Sequence, residues 1–248
     1  MIELFKKIFG KPDLTPADLG QLVVDVHSHL LPGLDDGAET LEDSISLIQD
    51  LNALGYNRFI TTPHIMGDFY KNSRETILPK LDLVREELVK REIKVQLDAA
   101  AEYYLDFEFN EKLQSGNILS FGKNYLLFEL SFINPPDNLE NVVFEMQTKG
   151  YVPVLAHPER YLYWIDKMDK LEALRERGVL FQINLLSIVG HYGPPCKKFA
   201  EKLIDKNWFE FLGSDLHNKK HIQSLHKGIA DPYLKKALQA GLSKNNQL

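Results

Sequence analysis

One cysteine, Cys196, is all the thiol chemistry that the 248-residue sequence offers. A lone thiol excludes an intrachain disulfide and a disulfide-stapled secreted architecture, which makes the cytoplasm the expected location. It also disfavours a cysteine nucleophile acting on phosphate, because Cys196 is followed by KKFAEKL, with no arginine placed to cradle a phosphoryl group. Long apolar runs are missing as well: none approaches the roughly 20 residues needed to cross a bilayer. At the start, Glu3, Lys6 and Lys7 interrupt MIELFKKIFGK, so no signal-peptide core is expected there. Nor is there an excess of positive charge. With a formal net charge of -6, the chain lacks the broad basic surface on which binders of nucleic acid rely. Low-complexity tracts and internal repeats are absent, leaving an ordinary globular composition, 44% hydrophobic and 26% charged.

A chain of this length is expected to form one domain, since α/β barrels routinely reach this size. Residues 1–20 are expected to be a helical extension and residues 21–248 the domain proper. In the extension, Ile2, Leu4, Phe5, Ile8 and Phe9 lie among lysines. That pattern favours a short helix packed on its own domain, with peripheral contact to a membrane surface or a partner as the alternative.

What the sequence does contain is alternation. Seven short apolar or β-branched runs read as strands, at 22–26, 58–62, 94–100, 125–130, 152–156, 179–185 and 209–214. Helical spacing occupies 41–55, with Thr40 as N-cap and Gly55 as a stop, and about 74–92, 138–149, 167–177, 196–206 and 231–241. Such β-α repetition calls for a parallel sheet with its functional groups at the C-terminal strand ends. Seven strands predict an irregular barrel.

Those strand ends are where the ionisable residues fall. His27 and His29 follow the first run, with Asp35 and Asp36 beyond a Pro32-Gly33 turn, and His64 follows the second. Glu102, Glu129, His157 with Glu159 and Arg160, and Asp215 with His217 complete the set, so only the run at 179–185 delivers none. A single histidine near a strand end is more often a hydrogen-bonded structural residue than a ligand. Clustering of this many ionisable side chains, however, is costly without a compensating cation. In HxH on a strand the two side chains, two residues apart, share one face, so both can be presented to one metal where the strand ends and twists into its loop.

His27, His29, Asp36, His64, Glu102, Glu129, His157, Asp215 and His217 are too many ligands for one ion, which implies two or three. Mixed imidazole and carboxylate donors favour zinc, iron or manganese over calcium. Clustered metals can generate hydroxide and hold an oxyanion from both sides, as in phosphoester hydrolysis. Arg160 would place a planar, always-charged donor beside them, suited to phosphate.

His27-Ser28-His29, DDG at 35–37, TPH at 62–64, AEYY at 101–104, FEL at 128–130, AHPERY at 156–161 and SDLHN at 214–218 resemble the polymerase-and-histidinol-phosphatase (PHP) metallohydrolases. More closely, they resemble the bacterial protein-tyrosine phosphatase branch that accompanies capsular and exopolysaccharide tyrosine kinases. The resemblance implies a distorted (β/α)7 TIM-like barrel with a three-metal centre of manganese, iron or magnesium. It also implies the nine residues above as ligands, Arg160 on phosphate, and a phosphotyrosine protein, a tyrosine kinase, as substrate. One departure stands out. Relatives often carry a second arginine after the SDxHN motif, where this chain reads NKKHIQSL with Lys219, Lys220 and His221. Asp35 is a candidate general acid, although holding the turn is the favoured role. Histidinol phosphate or another small ester is the alternative substrate, an amidohydrolase a weaker fit, and a metal-stabilised adaptor the non-catalytic alternative.

Overall fold

The computed structural model describes residues 15–240 and 244–248. Most of the expected helical extension, residues 1–14, lies outside the described residues. Its last part enters a 3-10 turn, Leu19–Leu22, which Asp18 caps by accepting from the Gly20 N–H and which buries Leu19 and Leu22.

Nine parallel strands follow: β1 (Val24–Asp25), β2 (Arg58–Thr61), β3 (His64–Ile65), β4 (Gln96–Ala99), β5 (Glu102–Tyr104), β6 (Tyr125–Glu129), β7 (Val152–Ala156), β8 (Leu180–Asn184) and β9 (Phe211–Gly213). They form two ladders, β1-β2-β4 and β3-β5-β6-β7-β8-β9. Yet β3 continues the path of β2 past Thr62-Pro63, and β5 continues β4 past Ala100-Ala101. Nine pieces therefore make seven staves, the expected distorted (β/α)7 barrel. Pro63 has no N–H to offer the ladder, which interrupts the second stave, while its carbonyl accepts from the Glu102 N–H at 3.1 Å. The ring closes beyond the named strands, where Ser28 bridges Leu216 in parallel and the His29 N–H donates to the Leu216 carbonyl at 2.9 Å.

Alternation along the staves sorts the side chains. Leu127, Val154, Ala156 and Phe211 belong to a small inner cluster with Val24, Val26 and Ile60. Their neighbours Leu126, Phe128, Leu155, Phe181, Ile183 and Leu212 belong to the larger cluster under the helices. By the same parity Glu129 on β6 and Gln182 and Asn184 on β8 face inward.

The helices are α1 (Leu41–Ala53), α2 (Arg74–Lys90), α3 (Phe109–Ser115), α4 (Leu139–Thr148), α5 (Met168–Glu176), α6 (Leu185–Ile188), α7 (Pro194–Asp205), α8 (Lys219–Gly228) and α9 (Pro232–Gln239). In α1 the capping box closes both ways, Thr40 accepting from the Asp43 N–H and Asp43 from the Thr40 N–H, and Ile45, Ile48 and Leu51 are buried. Three helices were not expected. α3 and α6 are too short to show a period, and α8 starts inside the polar run after His217, where Asn218 accepts from the Lys220 and His221 N–H groups.

Candidate metal centre

At the C-terminal rim the structure brings all nine candidate ligands together, in four overlapping groups. They are His29, Asp36, His64 and His217; His27, His29 and Asp215; His27, Glu102 and His157; and His64, Glu102 and Glu129.

The two HxH histidines converge because residues two apart on an extended segment share a face. β1 ends at Asp25, so His27 and His29 lie beyond its ladder, and their Nε2 atoms are 3.4 Å apart. What aims them is on their other side. His27 Nδ1 is 2.7 Å from Gln182 Oε1, and His29 Nδ1 is 2.7 Å from Asp35 Oδ2. Each Nδ1 faces an oxygen acceptor, which leaves the Nε2 lone pairs directed at the centre. Asp35 also accepts from the His64 N–H at 2.9 Å and from the Gly37 N–H at 3.0 Å, so it has the turn-holding place that was favoured for it. Gly37 and Gly213 are glycines because of this crowding. A Cβ on Gly37 would lie 2.5 Å from His29 Cβ, and one on Gly213 would lie 2.6 Å from His27 Cβ.

Glu102 sits in the middle. Its Oε2 is 3.1 Å from His27 Nε2 and 3.1 Å from His64 Nδ1, and Oε1 is 3.0 Å from His157 Nε2. Asp215 presents Oδ1 to His27 Nε2 and His29 Nε2, at 3.4 Å from each. Its Oδ2 is held from behind, accepting from Asn184 Nδ2 at 2.6 Å and from Arg160 at 3.0 Å. Asp36, more exposed, lies 3.6 Å from His64 Nε2 and 3.5 Å from His217 Nε2. Glu129 Oε1 is 3.4 Å from His64 Nδ1. Two of these residues adopt left-handed backbone, His157 at φ 34 and Asp215 at φ 49, conformations costly for a side chain other than glycine. The turn at His157 breaks the alternation of β7 and brings its ring inward.

Electrostatics show what the cluster lacks. Burial and the adjacent charge of Glu102 hold the Glu129 carboxyl well above the usual range. Burial works against a charged Glu102, but His27 and His64 outweigh it and keep that carboxyl ionised. Although Glu102 Oε2 and His64 Nδ1 are buried and surrounded by polar atoms, neither makes a hydrogen bond. Close lone pairs without a shared proton, together with crowded carboxylates, are the environment that a multivalent cation relieves. The residues present therefore fit divalent metal ions.

Arg160 stands beside the cluster. Its guanidinium carbon lies 4.5 Å from the centre of the Phe132 ring and 4.3 Å from that of Tyr192, rings supplied by the loops after the two staves flanking its own. A cavity of about 410 Å³ opens there, with His64, Tyr70, Tyr104, Phe132, Arg160 and Tyr192 in its wall. Of the residues at the missing second arginine, Lys219 is drawn away to Asp50 and Ser46 on α1, whereas His221 lines the cavity and Lys220 does not. Glu159 is not at the centre: its Oε1 accepts from the Asn184 N–H at 3.0 Å, and burial pushes its carboxyl up to about 7. Sequence reasoning missed Gln182 and Asn184, on the one strand assigned no role; inward parity on β8 was the available signal.

Residues 23–243 match the family model described as capsular polysaccharide synthesis, CpsB/CapC. The chain belongs to this family. It is 33% identical over 199 residues, 80% of this chain and 78% of the relative, to the tyrosine-protein phosphatase YwqE of Bacillus subtilis (strain 168). To the tyrosine-protein phosphatase CpsB of Streptococcus pneumoniae it is 26% identical over 223 residues, covering 85% and 91% of the two chains. Among solved structures, one from a study of YwqE from Bacillus subtilis and CpsB from Streptococcus pneumoniae, called metal-dependent tyrosine phosphatases, superposes with a TM-score of 0.80. That match has 30% identity and covers 91% of this CpsB/CapC chain and 93% of the other. A histidinol phosphate phosphatase from Lactococcus lactis, solved with zinc, L-histidinol and phosphate, shares the fold at a TM-score of 0.52 and 14% identity, with 86% and 94% covered.

Proposed function

We propose that the chain is a metal-dependent protein-tyrosine phosphatase, with residues 21–248 as its catalytic domain. Its substrate is a phosphotyrosine protein, a tyrosine kinase of capsular or exopolysaccharide synthesis, and its site of action the cytoplasm. The observation that carries this reading is the nine-residue imidazole and carboxylate cluster with a guanidinium beside it, Arg160 and six of the nine lining one cavity. Family membership and the phosphatase relatives support it.

His27, His29, Asp36, His64, Glu102, Glu129, His157, Asp215 and His217 would hold the ions, two or three in number. Five imidazoles and four carboxylates suit manganese, with iron, magnesium or zinc as alternatives. Bound there, such ions supply Lewis acidity and an activated water. The protein's own part is orientation. Gln182 and Asp35 fix the imidazoles of His27 and His29, and Asn184 fixes the carboxylate of Asp215. Arg160 keeps donors free of Asp215 for the phosphate oxygens and stabilises charge developing on them. Because a phenolate leaves more readily than an alkoxide, a site with modest acid assistance favours aryl esters.

Elemental analysis of the purified protein, paired with turnover of three esters, tests this reading. A phosphotyrosine peptide should have a higher specificity constant than a phosphoserine peptide or histidinol phosphate. A higher constant for histidinol phosphate would move the assignment to small esters, and bound metal without turnover of any ester would make the chain an adaptor.

A further inference from the structure

Three loops that neighbour one another around the rim each send a large apolar side chain into solvent. Phe69 follows β3, Phe107 follows β5, and Phe132 with Ile133 follows β6, strands adjacent in the order β3-β5-β6. Phe69 and Phe107 are each 73% exposed and Ile133 is 85% exposed. Among the described residues, the exposed phenylalanines are these two, Phe132, and Phe144 elsewhere on the surface. Large exposed apolar side chains on neighbouring loops are the composition of a contact surface.

The arc is anchored. Gly67 N–H donates to Asp106 Oδ2 at 2.7 Å, tying the first loop to the second, and Tyr163 O–H donates to the Ser131 carbonyl at 3.0 Å behind the third. Met66 and Tyr70 after β3, Tyr104 at the end of β5 and Phe132 after β6 line the cavity that has Arg160 in its wall. Elsewhere the cavity wall is polar, with His64, Glu129, Asp36, Asn218 and His221.

Resting on the phosphatase reading, we infer that Phe69, Phe107 and Ile133 bind the polypeptide flanking the phosphotyrosine and select substrates with apolar side chains beside it. A phosphoryl group that reaches Arg160 brings its own backbone across the mouth, and flanking residues on the β3–β6 side must then lie on this arc. Apolar flanks would bury the arc and themselves; charged flanks would be desolvated there without partners. Covering one leucine-sized side chain is worth about ten-fold in binding.

The test compares the metal-loaded wild type with a Phe69→Ser/Phe107→Ser double variant, both changes being at exposed positions outside the cavity wall. Substrates are p-nitrophenyl phosphate, a phosphotyrosine peptide flanked by leucine and valine, and the same peptide flanked by serine. Wild type should prefer the apolar peptide by about ten-fold in kcat/KM, chiefly through KM. The double variant should lose that preference while its kinetics on p-nitrophenyl phosphate stay within two-fold. Equal use of both peptides by wild type, or an undiminished preference in the variant, overturns the inference alone. Absence of any p-nitrophenyl phosphate or peptide turnover by metal-loaded wild type overturns the phosphatase reading and this inference with it. Sedimentation and vesicle pelleting on the same two proteins cover the other occupants: a change in self-association or lipid binding, with peptide preference intact, assigns the arc to a second copy or a membrane and overturns the inference.

Discussion

Arg160 pairs with Asp215, and the role proposed for it requires that it still offer donors to a phosphate. The rings of Phe132 and Tyr192 reconcile the two by holding the guanidinium at the cavity wall. Replacing Arg160 with alanine should leave metal content unchanged, since Asn184 still holds Asp215 Oδ2, and should reduce phosphotyrosine-peptide turnover by roughly 100-fold. Arg160→Lys should recover only part of that loss, because an ammonium keeps the charge but not the fork. Full activity in the alanine variant would remove Arg160 from the mechanism; loss of metal would make it structural. At this scale the sequence was legible wherever a residue is rare unless it has a task. Histidines and carboxylates at strand ends are such residues. Gln182, Asn184, Phe132 and Tyr192 are not: amides and aromatics are common in strands and loops, and only the fold shows which atoms they face.

At the scale of elements, the seven staves were readable because each apolar run is bounded by polar loops, but the interruptions in two of them were not. Pro63 divides the second stave, and Ala100-Ala101 carries no such marker for the third. α8 was hidden for a different reason, since its cap Asn218 lies in a motif already read as metal-binding. Close packing between elements is equally invisible in a sequence, and Gly213 is its clearest case. A methyl group there would meet both Gln182 Nε2 at 2.8 Å and His27 Cβ at 2.6 Å, the latter fixed next to the backbone of the first stave. Gly213→Ala should therefore destabilise the fold by about 1–3 kcal/mol and displace the imidazole of His27. Thermal unfolding together with metal stoichiometry checks this: a variant with wild-type melting temperature and full metal content would show that β9 can shift without disturbing the centre.

For the molecule as a whole, the barrel and the candidate metal centre should be separate sources of stability. Its core holds an inner and an outer apolar cluster, and the burial of that apolar surface does not depend on ions, so the fold should persist without them. The rim should not be indifferent. With the cations removed, Glu102, Glu129 and Asp215 face one another in a buried space, and Glu129 is pushed toward its protonated form. Ligands that bind only the native state stabilise it, by about 2.7 kcal/mol at a hundred-fold excess over Kd. For a chain of this size that corresponds to a melting shift of roughly 5–10 °C. Chelation should accordingly lower the melting temperature by that amount, abolish phosphotyrosine-peptide turnover and leave far-ultraviolet circular dichroism intact, with metal add-back restoring both losses. Cys196→Ser should keep its turnover nearly unchanged, because Cys196 is a buried residue of α7, outside the cavity wall. Chelator-resistant activity that disappears with the thiol would place the chemistry on Cys196 and leave the nine-residue cluster without a catalytic part.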